Sequence, residues 1–181
     1  QVDVADVIID AKSGVSGAGR GLKENLLFCE VGEGIHPYSV GTHRHAPEIE
    51  QEIAKAAGGA DTHVNFTPHL MPMNRGELCT CYVRMVGGAS VADLRQTLTS
   101  RYADEPFVNV VPEGVSPATR NVRGSNYCQI GLYADRIPGR AIVVAVIDNL
   151  VKGSSGEAIQ NMNLMFGFPE TTGIEQIALF P

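Results

Sequence analysis

Two imidazoles, one guanidinium and two carboxylates fall within nine residues of this chain, His43-Arg44-His45-Ala46-Pro47-Glu48-Ile49-Glu50-Gln51. Such a set can move a proton, grip an anion or, through the His-x-His pair, bind a metal. Arg44 fixes a cation between the two candidate ligands, which disfavours a dication there. No Asp or His elsewhere stands at a ligand spacing, so no metal is expected. Two readings stay open from the residues alone. One is acid–base catalysis by a histidine oriented by Glu48; the other is plain capping of a helix by surface polar groups.

The helix is predicted from Pro47 to Ala57. Proline suits a first helical position, where its missing N–H would lack a partner anyway. Glu48 and Glu50 sit in the first turn, where the helix dipole favours negative charge. Ile49 and Ile53 repeat at i, i+4, and Gly58 is the stop signal. The histidines therefore stand at the mouth of a helix N-terminus. A second candidate is Ser13-Gly-Val-Ser-Gly-Ala-Gly-Arg20, a loop by composition. Its glycine N–H groups can form an anion-binding nest beside Ser13, Ser16 and Arg20. It is no dinucleotide fingerprint, because the position that would need the third glycine is Leu22. Asp148-Asn149-Leu150-Val151-Lys152-Gly153 follows an apolar strand, and its Asn149 and Lys152 can contact a ligand at the strand end. His69 and Arg75, in the turn Pro68 to Gly76, can be functional or merely solvated.

The rest of the chain must position these groups. Strands are predicted at Val4 to Ala11, Leu26 to Val31, Thr62 to Leu70, Leu78 to Val86, Phe107 to Val111, Tyr127 to Ala134 and Arg140 to Ile147. Thr62 to Leu70 alternates, with Val64, Phe66 and Leu70 on one side; Leu78 to Val86 is read as its antiparallel neighbour. Ser90-Val-Ala-Asp93 opens a helix to about Tyr102 with Val91, Leu94 and Leu98 on one stripe. Ser154-Ser-Gly-Glu157 is read as the capping box of a last helix that stops at Gly167. Strands outnumber helices and hairpin-like spacing prevails, so an α+β domain with an antiparallel or mixed sheet is expected.

At 181 residues the chain can bury one substantial core. Its net charge of -6, with no basic cluster, argues against a nucleic-acid surface. The longest apolar run, Ala141 to Ile147, is too short to span a bilayer. No secretory signal opens the chain, which begins at Gln1 and reads as a fragment or processed piece. Cys29, Cys79, Cys81 and Cys128 all lie in apolar, strand-like contexts without a C-x-x-C pair. Buried reduced thiols in a reducing compartment are expected.

Taken together, SGVSGAGR, PYSVGTHRHAPEIEQ, FTPHLMPMNRGEL, VRGSNYC and VIDNLVKGSSGEAIQNMNLMFGFPETTGI make the chain, from about Val7 to Pro181, resemble the C-terminal part of N-acetyl-γ-glutamyl-phosphate reductases of arginine biosynthesis. The resemblance implies a glyceraldehyde-3-phosphate-dehydrogenase-like C-terminal domain: a mixed, largely antiparallel sheet with helices on one face. It implies NADPH-dependent reduction of N-acetyl-glutamyl phosphate to the semialdehyde through a Cys thioester. His43 matches the acid–base partner. Ser13, Ser16, Arg20, Arg44, His45 and Glu48 match substrate-side positions, and Asn149, Lys152 and Gly153 a segment near the nicotinamide. The family's NADPH-binding Rossmann domain and its His-Pro-Gly-Cys-Tyr-Pro-Thr-like segment have no counterpart here, so the isolated chain is expected to be inactive. Residues 1–150 should be the substrate-binding and dimerisation domain, and 151–181 a helix and tail packed on the nucleotide domain. A cytoplasmic homodimer or homotetramer is implied, with a plastid location if the source is a plant. Two alternatives are an aspartate-semialdehyde-type dehydrogenase and a non-catalytic dimerisation module.

Overall fold

Val7, Ile9 and Ala11 alternate along the first strand, β1 (Val2–Gly14), and bury one face of it in the interior of the sheet. The computed structural model describes residues 1–179. After β1 come a helical turn α1 (Phe28–Val31), a short β2 (His36–Pro37) and helix α2 (Ala46–Ala56). Strands β3 (Val64–Met71) and β4 (Glu77–Met85), helix α3 (Val91–Arg101) and β5 (Val108–Val110) follow. The chain then forms β6 (Cys128–Ala134), β7 (Arg140–Ile147) and α4 (Gly156–Phe166). The seven strands make one sheet in the order β2-β3-β1-β4-β7-β6-β5. Two pairings are parallel, β1 with β3 and β5 with β6, and the other four antiparallel.

The expected mixed, largely antiparallel sheet is therefore present, but one pairing differs. β4 is not the neighbour of β3. β1 lies between them, pairing Ile9 with Phe66 on one side and with Cys81 on the other. Alternation dictates which face of a strand is buried, not which strand it meets. Leu26 to Val31 is also not a strand. Glu24–Leu26 is a 3₁₀ turn running into α1, with Phe28 exposed. A short apolar run fits both periods, and here the chain takes the helical one. Cys29 is accordingly exposed rather than buried.

Both long helices before β5 lie on one face. Val7, Ile9 and Ala11 of β1, Val64 and Phe66 of β3, Val83 of β4, Leu132 of β6 and Ala141 of β7 form a buried cluster. Ile49 and Ile53 of α2 and Val91, Leu94 and Leu98 of α3 pack against it. The Ser90 capping box is formed as expected: its Oγ accepts from Asp93 N, and Asp93 Oδ2 accepts from Ser90 N at 2.8 Å. The opposite face of the sheet is only half-covered, with Ile8, Tyr82, Ile142 and Tyr133 aligned across four strands.

The last helix starts differently from the reading of Ser154-Ser-Gly-Glu157. Residues Val151–Ser155 form a π turn that leads into α4, and Ser155 caps nothing; its Oγ donates to Leu150 O at 2.7 Å. The free amides are met earlier, by Asp148, whose Oδ1 accepts from Leu150 N at 2.8 Å and Val151 N at 3.0 Å. Gly167 ends α4 in the left-handed region, φ 72°, as a C-terminal glycine should. Among the described residues no helix is long and apolar enough to cross a membrane. Residues 180 and 181 of the expected C-terminal tail lie outside the described residues.

Candidate active site

The chain enters α2 through a tight turn. Ser39 and Gly41 take positive φ, 47° and 66°, and Thr42 N donates to Ser39 O at 3.0 Å. This delivers His43 against the buried face of β3, where its ring sits 5.1 Å from Phe66, 5.5 Å from Tyr38 and 4.9 Å from His45, centroid to centroid. His45 N donates to His43 Nδ1 at 3.2 Å. The proton of the neutral ring therefore resides on Nε2. Burial lowers the His43 pKa, and the neighbouring His45 and Arg44 lower it further. His43 is thus a neutral imidazole whose unengaged nitrogen carries a hydrogen.

His43, Arg44 and His45 line a cavity of about 720 Å³ above the end of the sheet. Ser13 and Glu77 lie across from one another in the strand register and share its floor. Lys23, just before the 3₁₀ turn, and Gly153 also line it. Among the described residues the cavity wall thus carries two fixed cations, Lys23 and Arg44, and three imidazoles, with Glu77 as its one carboxyl. Such a lining suits a ligand bearing negative charge. Among the described residues no group of three or more His, Cys, Asp or Glu could hold a metal.

A buried polar clip holds this end of the sheet together. Asn149 Oδ1 accepts from Gly76 N at 2.8 Å, and its Nδ2 donates to Ser16 Oγ at 3.0 Å. Ser16 Oγ in turn donates to Asn74 O at 2.6 Å. Gly14 N donates to Gly76 O at 2.8 Å, an approach so close that a Cβ on Gly14 would stand 2.8 Å from Asn74 O. Asp148 beneath the clip is fully buried. Burial alone would raise its pKa, but the N–H groups of Gly124, Leu150 and Val151 and the Arg75 guanidinium together hold it below the usual range.

These bonds sort the sequence candidates. His43, Arg44, His45 and Ser13 are brought to the cavity together with Gly153 and Asn149. Asn149 lines the wall with both ends of its amide already engaged, and Ser16 belongs to the same clip. Lys152 Nζ donates to Gln160 Oε1 at 2.7 Å instead of facing the cavity. Arg20 is exposed and does not line it. Of the amides between Ser13 and Arg20, those of Gly14, Val15, Ser16 and Gly19 donate within the protein, while Gly17 and Ala18 line the cavity. Glu48 is exposed in the first turn of α2, outside the wall; Glu50 works structurally, its Oε1 accepting Val64 N at 3.0 Å. His69 lies on the far face, 3.1 Å from Asp10, and Arg75 supports Asp148 at 3.3 Å. Lys23, Tyr38 and Glu77 were not singled out from sequence, because a lone residue of each type carries no spacing signal.

The three strand cysteines supply no nucleophile of their own. Burial pushes all three strand cysteines up, Cys81 to about 11, and Glu77 adds to the effect at Cys79. A buried thiol of this kind stays protonated and inert at neutral pH.

A seven-stranded mixed sheet with α2 and α3 on one face and a cationic, histidine-lined cavity at its end defines the class. The chain belongs to the family described as "Semialdehyde dehydrogenase, dimerisation domain", whose profile matches residues 1–149. It is 63% identical over 180 residues to the N-acetyl-gamma-glutamyl-phosphate reductase of Rhodospirillum rubrum, covering 99% of this chain and 51% of that protein. It is 59% identical over 176 residues to a probable chloroplastic N-acetyl-gamma-glutamyl-phosphate reductase of Arabidopsis thaliana, covering 97% and 44%. The chain spans about half the length of the curated relatives it matches. The crystal structure of aspartate semialdehyde dehydrogenase II from Vibrio cholerae shares the fold, with a TM-score of 0.73 at 16% identity, over 92% of this chain and 56% of that one.

Proposed function

We propose that this chain is the substrate-binding and dimerisation part of an N-acetyl-γ-glutamyl-phosphate reductase, with His43 as the acid–base residue. The observation that carries the reading is His43 itself: a neutral imidazole at the wall of a cationic cavity, in a chain 63% identical to a reductase of that name. The substrate carries an acyl phosphate and a carboxylate. Arg44, Lys23 and His45 supply the positive charge such a ligand needs. Aspartate-semialdehyde-type chemistry has weaker support, since those structures match at only 16% identity.

In this reading a cysteine thiolate from another part of the full protein attacks the acyl carbon. A C–S bond forms, the C–O bond to phosphate breaks, and phosphate leaves with the bonding pair. The carbonyl oxygen gains negative charge at each addition, and His43 is suited to it because its Nε2 carries a hydrogen to donate. Accepting a proton from the thiol requires a ring whose Nε2 is free, hence release of the His45 N–H···Nδ1 bond. His43 thus donates to the carbonyl oxygen in the ring form seen here, and takes the thiol proton ahead of the attack in the rearranged form.

A nicotinamide, when bound, supplies the hydride. The fit of this chain to it is limited to a wall. Gly153 offers a side-chain-free surface, while Asn149 and Lys152 have their polar groups engaged elsewhere. NADPH would accordingly be held mainly by residues beyond this chain. Residues 151–179 favour packing on such a domain, because Met165 and Phe166 at the end of α4 are 81% and 72% exposed. Two copies would pair through the half-covered sheet face around Ile8, Tyr82 and Ile142, giving a dimer or a tetramer. The protein would work in the cytoplasm, or in a plastid if its source is a plant.

The test uses the full-length protein containing this chain. NADP⁺ reduction is followed with phosphate and either N-acetyl-glutamate semialdehyde or aspartate semialdehyde. Preference for the acetylated aldehyde, with His43→Ala lowering kcat by about 10²-fold, is expected. Equal turnover of the two aldehydes, or a folded His43→Ala protein of wild-type rate, would refute the assignment.

A further inference from the structure

Glu77 opens β4 directly across from Ser13 of β1 and from Ile147 of β7, neither of which bears a charge. Leu70 of β3 pairs with Ser13 on the other side, so Leu70, Ser13 and Glu77 form one row of the cavity floor. Every other titratable group of the lining is a base or a phenol: His36 of β2, Tyr38 after it, Lys23, and His43 to His45 before α2. Among the described residues the Glu77 carboxyl takes part in no ion pair, and its hydrogen bond is a weak one from Cys79 Sγ at 3.9 Å. A half-buried carboxyl with so little compensation disfavours its charged form. Burial indeed pushes Glu77 up, more than the charge of His45 and the Cys79 bond hold it down. Tyr38 is pushed up as well, by burial first and by the Glu77 charge second, against Arg44.

Such a lining suits an anionic ligand, and a carboxylate within it would repel one. We propose that Glu77 is a ligand-binding residue of this cavity: it takes up one proton as an anion enters and donates its O–H to an oxygen of that anion. The inference rests on the reading of the cavity as an anionic-substrate site. The proton comes from solvent and stays on Glu77 while the anion is bound. Like-charge repulsion is thereby replaced with a short O–H···O⁻ hydrogen bond. Glu77 then discriminates by charge and pH, in a position that no other acidic side chain of the lining can fill.

Binding to the full-length protein is measured by titration calorimetry between pH 6 and 9. The probes are inorganic sulfate, which does not itself titrate in that range, and N-acetyl-glutamate. Heats in buffers of different ionisation enthalpy give the proton uptake. The unaltered protein should take up close to one proton more than Glu77→Gln does. Its Kd should rise by up to about tenfold per pH unit above the carboxyl's own pKa, while Glu77→Gln, which donates N–H at any pH, should bind with a flatter profile. Glu77→Met, similar in length and unable to donate or ionise, should also lose the uptake and bind more weakly than Glu77→Gln. It replaces Glu77→Gln should that variant not fold. Equal uptake and equal slopes in unaltered and variant proteins would assign the protons to the histidines and overturn the proposal, as would failure of sulfate and N-acetyl-glutamate to bind at any pH. Reductase activity is assayed separately: its absence alongside a Glu77-dependent uptake sinks the functional reading and leaves this one standing, and the reverse result does the opposite.

Discussion

Replacing Asp148 should unfold the site from below, and the size of the effect can be worked from its four bonds. Oδ1 accepts the amides of Leu150 and Val151, and Oδ2 accepts Gly124 N at 2.7 Å and Arg75 at 3.3 Å, all by a side chain with no exposure. Asp148→Ala removes a helix cap, costing about 1–2 kcal/mol. It also leaves the Gly124 amide without its acceptor, costing about 1–3 kcal/mol more. Arg75 is partly exposed and can turn to water, so little is added there. A loss of about 2–5 kcal/mol follows from these two losses together. Asp148→Asn keeps the shape and the cap but turns an N–H toward the Gly124 and Arg75 donors, for a loss of about 2 kcal/mol. The acid dependence has a definite sign. The folded-state pKa is depressed, so the carboxylate's contribution is complete above the unfolded value of about 3.9 and fades as pH falls through the folded one. Urea unfolding followed by circular dichroism should show a wild-type advantage over Asp148→Asn at pH 7 that closes below about pH 4. A difference under about 1 kcal/mol at pH 7, or one that widens in acid, would refute the account of the clip.

Because His43 is shifted below the ordinary histidine value and is active when neutral, the acidic limb of kcat/KM in the full protein should fall below about pH 6.5; a limb above pH 7 would contradict that environment. Ser90→Ala should cost about 1 kcal/mol, read by thermal unfolding, since it removes the capping box of α3 and nothing near the cavity; unchanged kcat should accompany the loss. Of the four thiols here, Cys29 alone is exposed, so peptide mapping after brief alkylation of the folded protein should find the label on Cys29 and leave Cys79, Cys81 and Cys128 unmodified. Rapid labelling of Cys79 would show that the strand cysteines are not packed as described.

Local signals carried well into the structure wherever neighbours in sequence supply both partners. The Ser90 box, the Gly167 stop and the buried alternation of Val64, Phe66 and Leu70 each need only a few residues of context, and each is present. The entry into α2 was legible for the same reason. Signals failed where a distant group competes. Ser154-Ser-Gly-Glu157 has the spacing of a cap, but Asp148 had already met the amides of Leu150 and Val151, so the helical run begins before the box. Arg20 and Glu48 carry suggestive charges, yet their backbones leave them outside the cavity, and Ser16 and Asn149 spend their polar atoms on each other and on the turn at Asn74 to Gly76.

By itself, then, the sequence determined the family resemblance, the face each strand buries and the presence of a histidine pair at a helix mouth. The resemblance rests on long motifs matched in order, while short-range sterics and periodicity set the other two. The tertiary structure decided that β1 separates β3 from β4, that His43 is the ring packed among Tyr38, Phe66 and His45, and that Glu77 brings a carboxyl to the cavity. Those outcomes depend on strand order and on which buried polar atoms find partners, and both are settled between residues far apart in the chain.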